Sequence, residues 1–291
     1  MGDISYRGRF APSPTGPLHL GSLTAALGSW LMARVSGGEW LLRIEDLDPP
    51  REAAGVAEAQ IRMLAAFGLV SDRPAVWQSR RSEYYQAALQ KLSDDGNVFA
   101  CRCTRSDLAP TGGVHRRCVE RPSGARSAYR LRPPPGVITF NDRIRGPYAQ
   151  DVADQSGDVV LKRADGYWAY QLAVVVDDAL QEITDVVRGA DLLDSTPRQI
   201  VLQGLLGHPS PRYAHLPVIL QPDGVKLSKS LRGAALDVRN PLPALRLAYQ
   251  WLGQDPRELD EQRHPEHALR CAIAAFRPEL IPARDHHLPS K

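Results

Sequence analysis

Two short segments, far apart in this chain of 291 residues, carry side chains suited to phosphate chemistry. The first is Pro12-Ser13-Pro14-Thr15-Gly16-Pro17-Leu18-His19-Leu20-Gly21-Ser22, and the second is Lys226-Leu227-Ser228-Lys229-Ser230. The first leaves an apolar run, Tyr6 to Phe10, through a Pro/Gly-rich turn. It then enters a stretch in which Leu23, Ala26, Leu27, Trp30 and Leu31 fall on one face of a helix. A helix starting near Gly21 aims unpaired N–H groups and the positive end of its dipole at whatever lies above the turn, and a glycine there lets a bulky group approach. Phosphate or adenine suits such a place, with Pro12, Thr15, Gly16, His19, Gly21 and Ser22 as contacts. The second segment sets two ammonium groups three residues apart, after a predicted strand Leu216 to Leu220 and the turn Pro222-Asp223-Gly224. Lysines so placed can follow charge as it moves onto pyrophosphate. Together the segments read as an ATP site, with His19, Lys226 and Lys229 as catalytic groups and Lys229 also an ATP contact.

A separate group of residues points to a metal. Cys101, Cys103 and Cys118 lie within eighteen residues of one another, and His115 stands three before the last. The pattern Cys-x-Cys, eleven residues, His-x-x-Cys supplies three thiolates and an imidazole, the soft set that tetrahedral zinc favours. Gly112-Gly113 between the two pairs can fold the second over the first. One structural Zn²⁺ per chain is expected. Cys271 stands alone and reads as a packing thiol.

The elements that must position these groups alternate. Trp40 to Ile44 reads as a strand, Glu52 to Phe67 as a helix ended by Gly68, and Ser82 to Leu92 as another helix. This βαβα order predicts an α/β fold with a doubly wound, Rossmann-like parallel sheet, whose ligands bind at the carboxyl ends of strands. Glu45 and Asp46 lie at such an end. From Cys101 to Gln155 Pro, Arg and Gly dominate, with short β-like runs at Ser127 to Leu131 and Val137 to Phe140. The sheet pattern returns with Val159 to Arg163, the helix-or-strand run Ala173 to Val176, and a strand Ile183 to Val187 ending at Arg188. Ser195 or Thr196 can cap a helix that has Pro197 in its first turn and runs to Gly207. The expected division is 1–100 and 156–235 as two halves of a nucleotide-binding core, 101–155 as an inserted metal-bearing subdomain, and 236–291 as a short helical region. The Pro- and His-rich tail offers no chemistry that its pattern names.

Composition sets bounds. With 43% hydrophobic residues the chain can build a sizeable core, and no apolar run approaches the ~18 residues of a membrane span. The N-terminus lacks a basic-then-apolar leader, so a cytoplasmic protein with no membrane partner is expected. A formal charge of +3 is compatible with a nucleic-acid partner, and arginines cluster at Arg80-Arg81, Arg102, Arg105, Arg116-Arg117 and Arg121.

The two phosphate-suited segments resemble the HIGH and KMSKS signatures of class I aminoacyl-tRNA synthetases. Arg9-Phe10-Ala11-Pro12-Ser13-Pro14-Thr15-Gly16 and Leu42-Arg43-Ile44-Glu45-Asp46-Leu47-Asp48 are similar to the glutamyl branch of that class. Ser22 stands where the second signature histidine would be. The resemblance covers about Gly8 to Gly253. It implies ATP-dependent activation of a carboxylate, with Mg²⁺ bridging phosphate oxygens, and a glutamate pocket formed at Arg9, Phe10, Ala11, Pro12, Ser13, Glu45, Tyr170 and Arg188. Charge agrees: Arg9 and Arg188 can each pair bidentately with a carboxylate, Glu45 can hold the α-ammonium, and Tyr170 offers a hydroxyl, with Tyr167 or Gln171 nearby.

Only about sixty residues follow Ser230, where full-length glutamyl enzymes carry a long helical anticodon-binding region. The resemblance is therefore closest to the truncated bacterial synthetases that load glutamate onto queuosine in the anticodon arm of tRNA(Asp). It implies ATP, L-glutamate and that tRNA as partners, glutamate activation without tRNA, and a monomer. The compact Cys-x-Cys element fits the same group, although its members often have a tyrosine where this chain has His115, with the last cysteine one residue later. A conventional or discriminating glutamyl-tRNA synthetase charging a tRNA 3′ end, and a non-enzymatic zinc-containing RNA-binding paralogue, are the alternative readings.

Overall fold

The computed structural model describes residues 6–120, 126–220, 224, 236–259 and 264–287. The chain opens with β1 (Arg7–Phe10), α1 (Leu20–Val35), β2 (Glu39–Ile44), α2 (Val56–Ala66), β3 (Val76–Trp77) and α3 (Ser82–Asp94). It continues through β4 (Val98–Cys101), α4 (Arg105–Leu108), β5 (Ala128–Leu131), β6 (Val137–Asp142), β7 (Gly146–Asp151), α5 (Val152–Gln155) and β8 (Val159–Lys162). Then come α6 (Tyr170–Leu180), β9 (Asp185–Gly189), α7 (Thr196–Leu206), β10 (Arg212–Leu216), β11 (Ile219–Leu220), α8 (Leu242–Trp251), α9 (Pro265–Ala275) and β12 (His286–His287).

Five strands form one sheet in the order β10-β9-β1-β2-β3, with every pairing parallel. The reason lies in strand composition: Trp40, Leu41, Leu42 and Ile44 are all buried, as a strand covered on both faces requires. Trp40, Leu42 and Ile44 join α1, α8 and α9 in one apolar cluster, which also takes Leu23, Ala26, Leu27, Trp30 and Leu31 from α1. Leu41 faces the other side with Val186 and Tyr213, against Phe140 and Ile200. Each buried leucine contributes roughly 1.5–3 kcal/mol, so these faces fix where the strand ends lie. The chain runs from β1 to β2 on one side of the sheet and joins β9 on the other, which makes the carboxyl end of β1 a switch point.

Two antiparallel units accompany the parallel sheet. Strands β4, β5 and β8 form a three-stranded sheet, and β6 and β7 form a hairpin. That hairpin packs on the parallel sheet through Phe140 and Tyr213 rings, 5.6 Å apart. Among the described residues no helix is long and apolar enough to cross a membrane.

Several boundaries differ from the sequence reading. The helix expected over 52–67 begins at Val56, because Pro49–Arg51 forms a 3-10 turn and Gly55, at φ 77°, precedes the first helical residue. The predicted strand Leu216 to Leu220 is two: Pro217, which has no N–H to donate, separates β10 from β11. Strand β11 instead pairs in parallel with β12 from the tail, Ile219 opposite His286. The tail has a structural role that its composition concealed. Ala173 to Val176 resolves as helix, within α6.

Candidate active site

A cavity of about 900 Å³ opens at the carboxyl ends of β1, β2 and β9. The described residues assigned from the sequence to ATP or to the amino acid border it: positions 9–13, 15, 16, 19, 21 and 22, with Glu45, Tyr170 and Arg188. Lys226 and Lys229 lie outside the described residues. Tyr167 and Gln171 do not border the cavity; Gln171 is engaged with Ser195 and Gln199 instead.

His19 caps α1. Its Nδ1 accepts the Ser22 N–H at 3.1 Å, and the His19 N–H donates to Ser22 Oγ at 2.7 Å. This reciprocal box accounts for a serine at position 22, and it uses one of the N–H groups that the sequence reading left open for a ligand. With Nδ1 accepting, the ring carries a proton on Nε2. Gly21 serves the cap as well as any ligand, since a Cβ there would lie 3.2 Å from His19 Cε1 and Nδ1. The turn below is tied by Gln60 of α2, whose Nε2 donates to the carbonyls of Ser13 and Gly16 at 3.1 and 2.7 Å.

The two arginines are held differently. Arg9 presents Nε and Nη2 to Asp178 at 3.0 and 3.3 Å, which occupies the side of its fork and leaves the end face between Nη1 and Nη2. Burial alone would raise Asp178, but Arg43 and Arg9 outweigh it and hold that carboxyl below its ordinary range. Arg188 donates Nε to His215 at 3.0 Å, Nη1 to Tyr170 Oη at 3.1 Å, and Nη2 to Thr196 Oγ1 at 2.8 Å and the Leu192 carbonyl at 3.3 Å. Four of its five donors are committed, so the bidentate fork expected of Arg188 is not open. Among the described residues nothing accepts from the other Nη1–H or from the Tyr170 O–H, two donors side by side. Burial pushes the Tyr170 phenol up, with Glu45 adding to it against Arg188, so that proton stays in place.

Glu45 sits beside these groups, its backbone N–H bonded to the Pro12 carbonyl at 3.0 Å. Burial pushes its carboxyl up to about 7, against Arg43 and Arg9. Arg43 Nη2 is 3.6 Å from Glu45 Oε1, while Arg43 Nη1 is engaged with Asp178 at 2.8 Å. Asp46, the other half of the acidic pair, turns away and accepts from the backbone N–H and hydroxyl of Ser79. Sequence reasoning missed Asp178, Arg43, Gln60, His215 and Asp142. The available signal was polarity out of place: Arg43 in an apolar strand, Asp177-Asp178 inside the apolar α6, His215 in β10.

Cys101, Cys103, His115 and Cys118 come together as expected, with their four ligand atoms within 4.8 Å of one another. His115 Nε2 lies 3.2 Å from Cys101 Sγ and 3.7 Å from Cys118 Sγ. Asp158 Oδ2, 2.7 Å from His115 Nδ1, fixes the tautomer that turns a bare Nε2 toward the thiols. Three sulfurs and one nitrogen converging on a point suit a single soft metal ion. Cys271 is half-buried, packed against the main apolar cluster. A second cavity, about 870 Å³, shares Ser13, Glu45 and Tyr170 with the first and reaches Cys103 and Arg105.

Residues 5–133 and 118–238 match the family described as tRNA synthetases class I (E and Q), catalytic domain. The chain belongs to this class I synthetase family. It is 58% identical over 283 residues to the glutamyl-Q tRNA(Asp) synthetase of Xanthomonas campestris pv. campestris (strain 8004), covering 97% of this chain and 95% of that one. The protein of the same name from Burkholderia mallei is 53% identical over 262 residues, covering 85% and 88%. The crystal structure of a glutamate tRNA ligase from Elizabethkingia meningosepticum, in complex with its amino acid, superposes with a TM-score of 0.80 at 25% identity. That match covers 97% of this chain and 67% of the ligase, so the synthetase catalytic fold is shared and the ligase extends beyond it.

Proposed function

We propose that this class I synthetase activates L-glutamate with ATP, without tRNA, and transfers it to the queuosine base in the anticodon arm of tRNA(Asp). The observation that carries the reading is the convergence of Arg9, Glu45, Tyr170 and Arg188 beside a capped helix start, in a chain 58% identical to a glutamyl-Q tRNA(Asp) synthetase over nearly its full length. Glutamate brings two carboxylates and an ammonium. The end face of Arg9 and the Arg188–Tyr170 donor pair take the carboxylates, and Glu45 takes the ammonium.

In the first step an oxygen of the α-carboxylate attacks the α-phosphorus of ATP, the bond to the bridging oxygen breaks, and pyrophosphate leaves. In the second a hydroxyl of the queuosine cyclopentene-diol attacks the glutamyl carbonyl and AMP leaves. Neither step needs a protein nucleophile; placement and charge stabilisation carry the catalysis. His19 and the start of α1 hold phosphate oxygens, and Lys226 and Lys229 stabilise the departing pyrophosphate. Mg²⁺, arriving with ATP, supplies further charge neutralisation on the phosphates. Cys101, Cys103, His115 and Cys118 would hold Zn²⁺, which would supply a structural cross-link. The second cavity, between the strand ends and the Cys/His segment, receives the RNA acceptor. The protein acts as a cytoplasmic monomer.

Glutamate-dependent ATP–pyrophosphate exchange measured without RNA tests the activation step. Exchange is expected, and glutamine and aspartate should be activated far more poorly: glutamine leaves a buried donor without its anion, and aspartate falls one methylene short. Exchange that appears only when tRNA is added favours a conventional glutamyl-tRNA synthetase. Complete absence of exchange favours a non-enzymatic RNA-binding protein.

A further inference from the structure

Arg188 is held from behind by a chain of hydrogen bonds that lies outside every motif in the sequence. Asp142, at the end of β6, and His215, in β10, both have fully buried side chains. Asp142 Oδ1 accepts the backbone N–H groups of Ile144, Arg145 and His215 at 3.0, 2.8 and 3.1 Å, so the carboxylate is fixed before it meets the imidazole. Its Oδ2 lies 2.6 Å from His215 Nδ1. Burial works against the Asp142 charge, but the bonds from His215 and the backbone overcome it and hold the carboxyl below its usual range. Burial also pushes the His215 imidazole down, against the bond to Asp142. A carboxylate at Nδ1 and a neutral ring leave Nε2 without a proton, and Nε2 accepts from Arg188 Nε at 3.0 Å.

The consequence is a difference in charge between the two pocket arginines. Arg9 meets the protein through an anion, Asp178. Among the described residues, none of the four groups that accept from Arg188 is an anion. We propose that Asp142 and His215 are positioning residues that aim the Arg188 guanidinium at a carboxylate of the amino acid through a neutral acceptor, leaving its positive charge for the ligand. The inference rests on the reading of this cavity as a glutamate site.

Exchange kinetics with glutamate and ATP varied separately test it, alongside calorimetric glutamate binding, on wild-type protein and the His215→Leu, His215→Gln and Asp142→Asn variants. His215→Leu removes the acceptor and should raise the KM for glutamate ~10-fold or more, the scale of one hydrogen bond to a charged group, with the KM for ATP within about twofold. Asp142→Asn should do the same, since an amide N–H facing Nδ1 moves the ring proton to Nε2, where it opposes Arg188. His215→Gln places an amide oxygen near the position of Nε2 and should recover much of the loss. A purely structural role would lower the active fraction or raise both KM values, without this split and without rescue. Asp142→Asn or His215→Leu with a wild-type KM for glutamate would overturn the proposal. If His215→Leu does not fold, Asp142→Asn and His215→Gln decide. Wild-type protein that neither binds nor activates glutamate would overturn the functional reading, and the relay with it; wild-type exchange with unaltered variants overturns the relay alone.

Discussion

The pocket at the strand ends and the segment from Cys101 to Glu120 are ordered by different means. In and around the pocket Arg9, Arg188, Asp178 and Asp142 are all buried, on elements that also send apolar side chains into the core clusters. Their positions are therefore properties of the whole fold. Within the segment, Cys101 and His115 alone are buried, and both belong to the Cys/His cluster. A few polar contacts support it: Thr104 caps α4 in a box with Asp107, and Arg116 reaches Asp154 at 3.0 Å. Where apolar burial is missing, a metal that binds several ligands at once is the remaining source of order. The pocket should therefore tolerate loss of metal, and the segment should tolerate damage to the pocket.

The largest expected effects break the pocket alone. Lys229→Ala should slow pyrophosphate exchange ~10²-fold or more, the scale of a lost transition-state charge contact. Arg188→Lys keeps the charge but cannot reproduce four hydrogen bonds from one planar group, and should lower kcat/KM for glutamate by a similar factor. Zinc content, measured by metal analysis, should be unchanged in both; its loss would erase the contrast between the two regions.

The converse substitution sharpens it. Purified protein should carry about one zinc per chain, and Cys103→Ala should lose it. Trypsin should then cut at Arg102, Arg105 or Arg116, and transfer to RNA should fall ~10-fold while exchange stays within about threefold of wild type. Exchange that collapses with the zinc would show that the two regions are not independently ordered.

Glu45 supplies a test by pH. With its carboxyl pushed up to about 7, it is largely protonated in the free pocket below that pH, and the proton must leave before an ammonium can pair there. The KM for glutamate should fall as pH rises from 5.5 to 7, by up to ~10-fold per unit, then level off. Glu45→Gln should weaken glutamate binding and flatten this profile. The stability sign is opposite: a carboxyl raised on folding destabilises above its unfolded value of 4.5, fully by pH 7 and beyond, so Glu45→Gln should gain stability over wild type across that window. Thermal melts at both pH values check it. The smallest effect belongs to Gly157, at φ 66° with a would-be Cβ 2.3 Å from the His115 carbonyl. Gly157→Ala should cost ~1–2 kcal/mol and loosen the Cys/His segment with exchange intact.

The legibility of these regions in the sequence follows the same division. The parallel sheet, α1 and its buried face were readable because strand and helix periods write themselves in apolar residues, as in Trp40 to Ile44 and Leu23 to Leu31. The Cys/His cluster was readable because its ligands are close in sequence. The supports were not. Asp178 meets Arg9 across 169 residues and His215 meets Asp142 across 73, and no local spacing encodes such pairings. The same holds for the tail, where His286 pairs beside Ile219 only because the chain returns. Arg188 was found as a cation at a strand end, but its open fork was an overestimate, since its partners Thr196, His215 and Tyr170 come from three other elements.

The acceptor of the glutamyl group is what decides the function. Incubating the protein with ATP, labelled glutamate and total tRNA from two strains, one with queuosine and one without, tests it most directly. Label should enter RNA only from the queuosine-containing strain and should survive removal of the tRNA 3′ end. Equal labelling of both preparations, or label lost with the 3′ end, would contradict it.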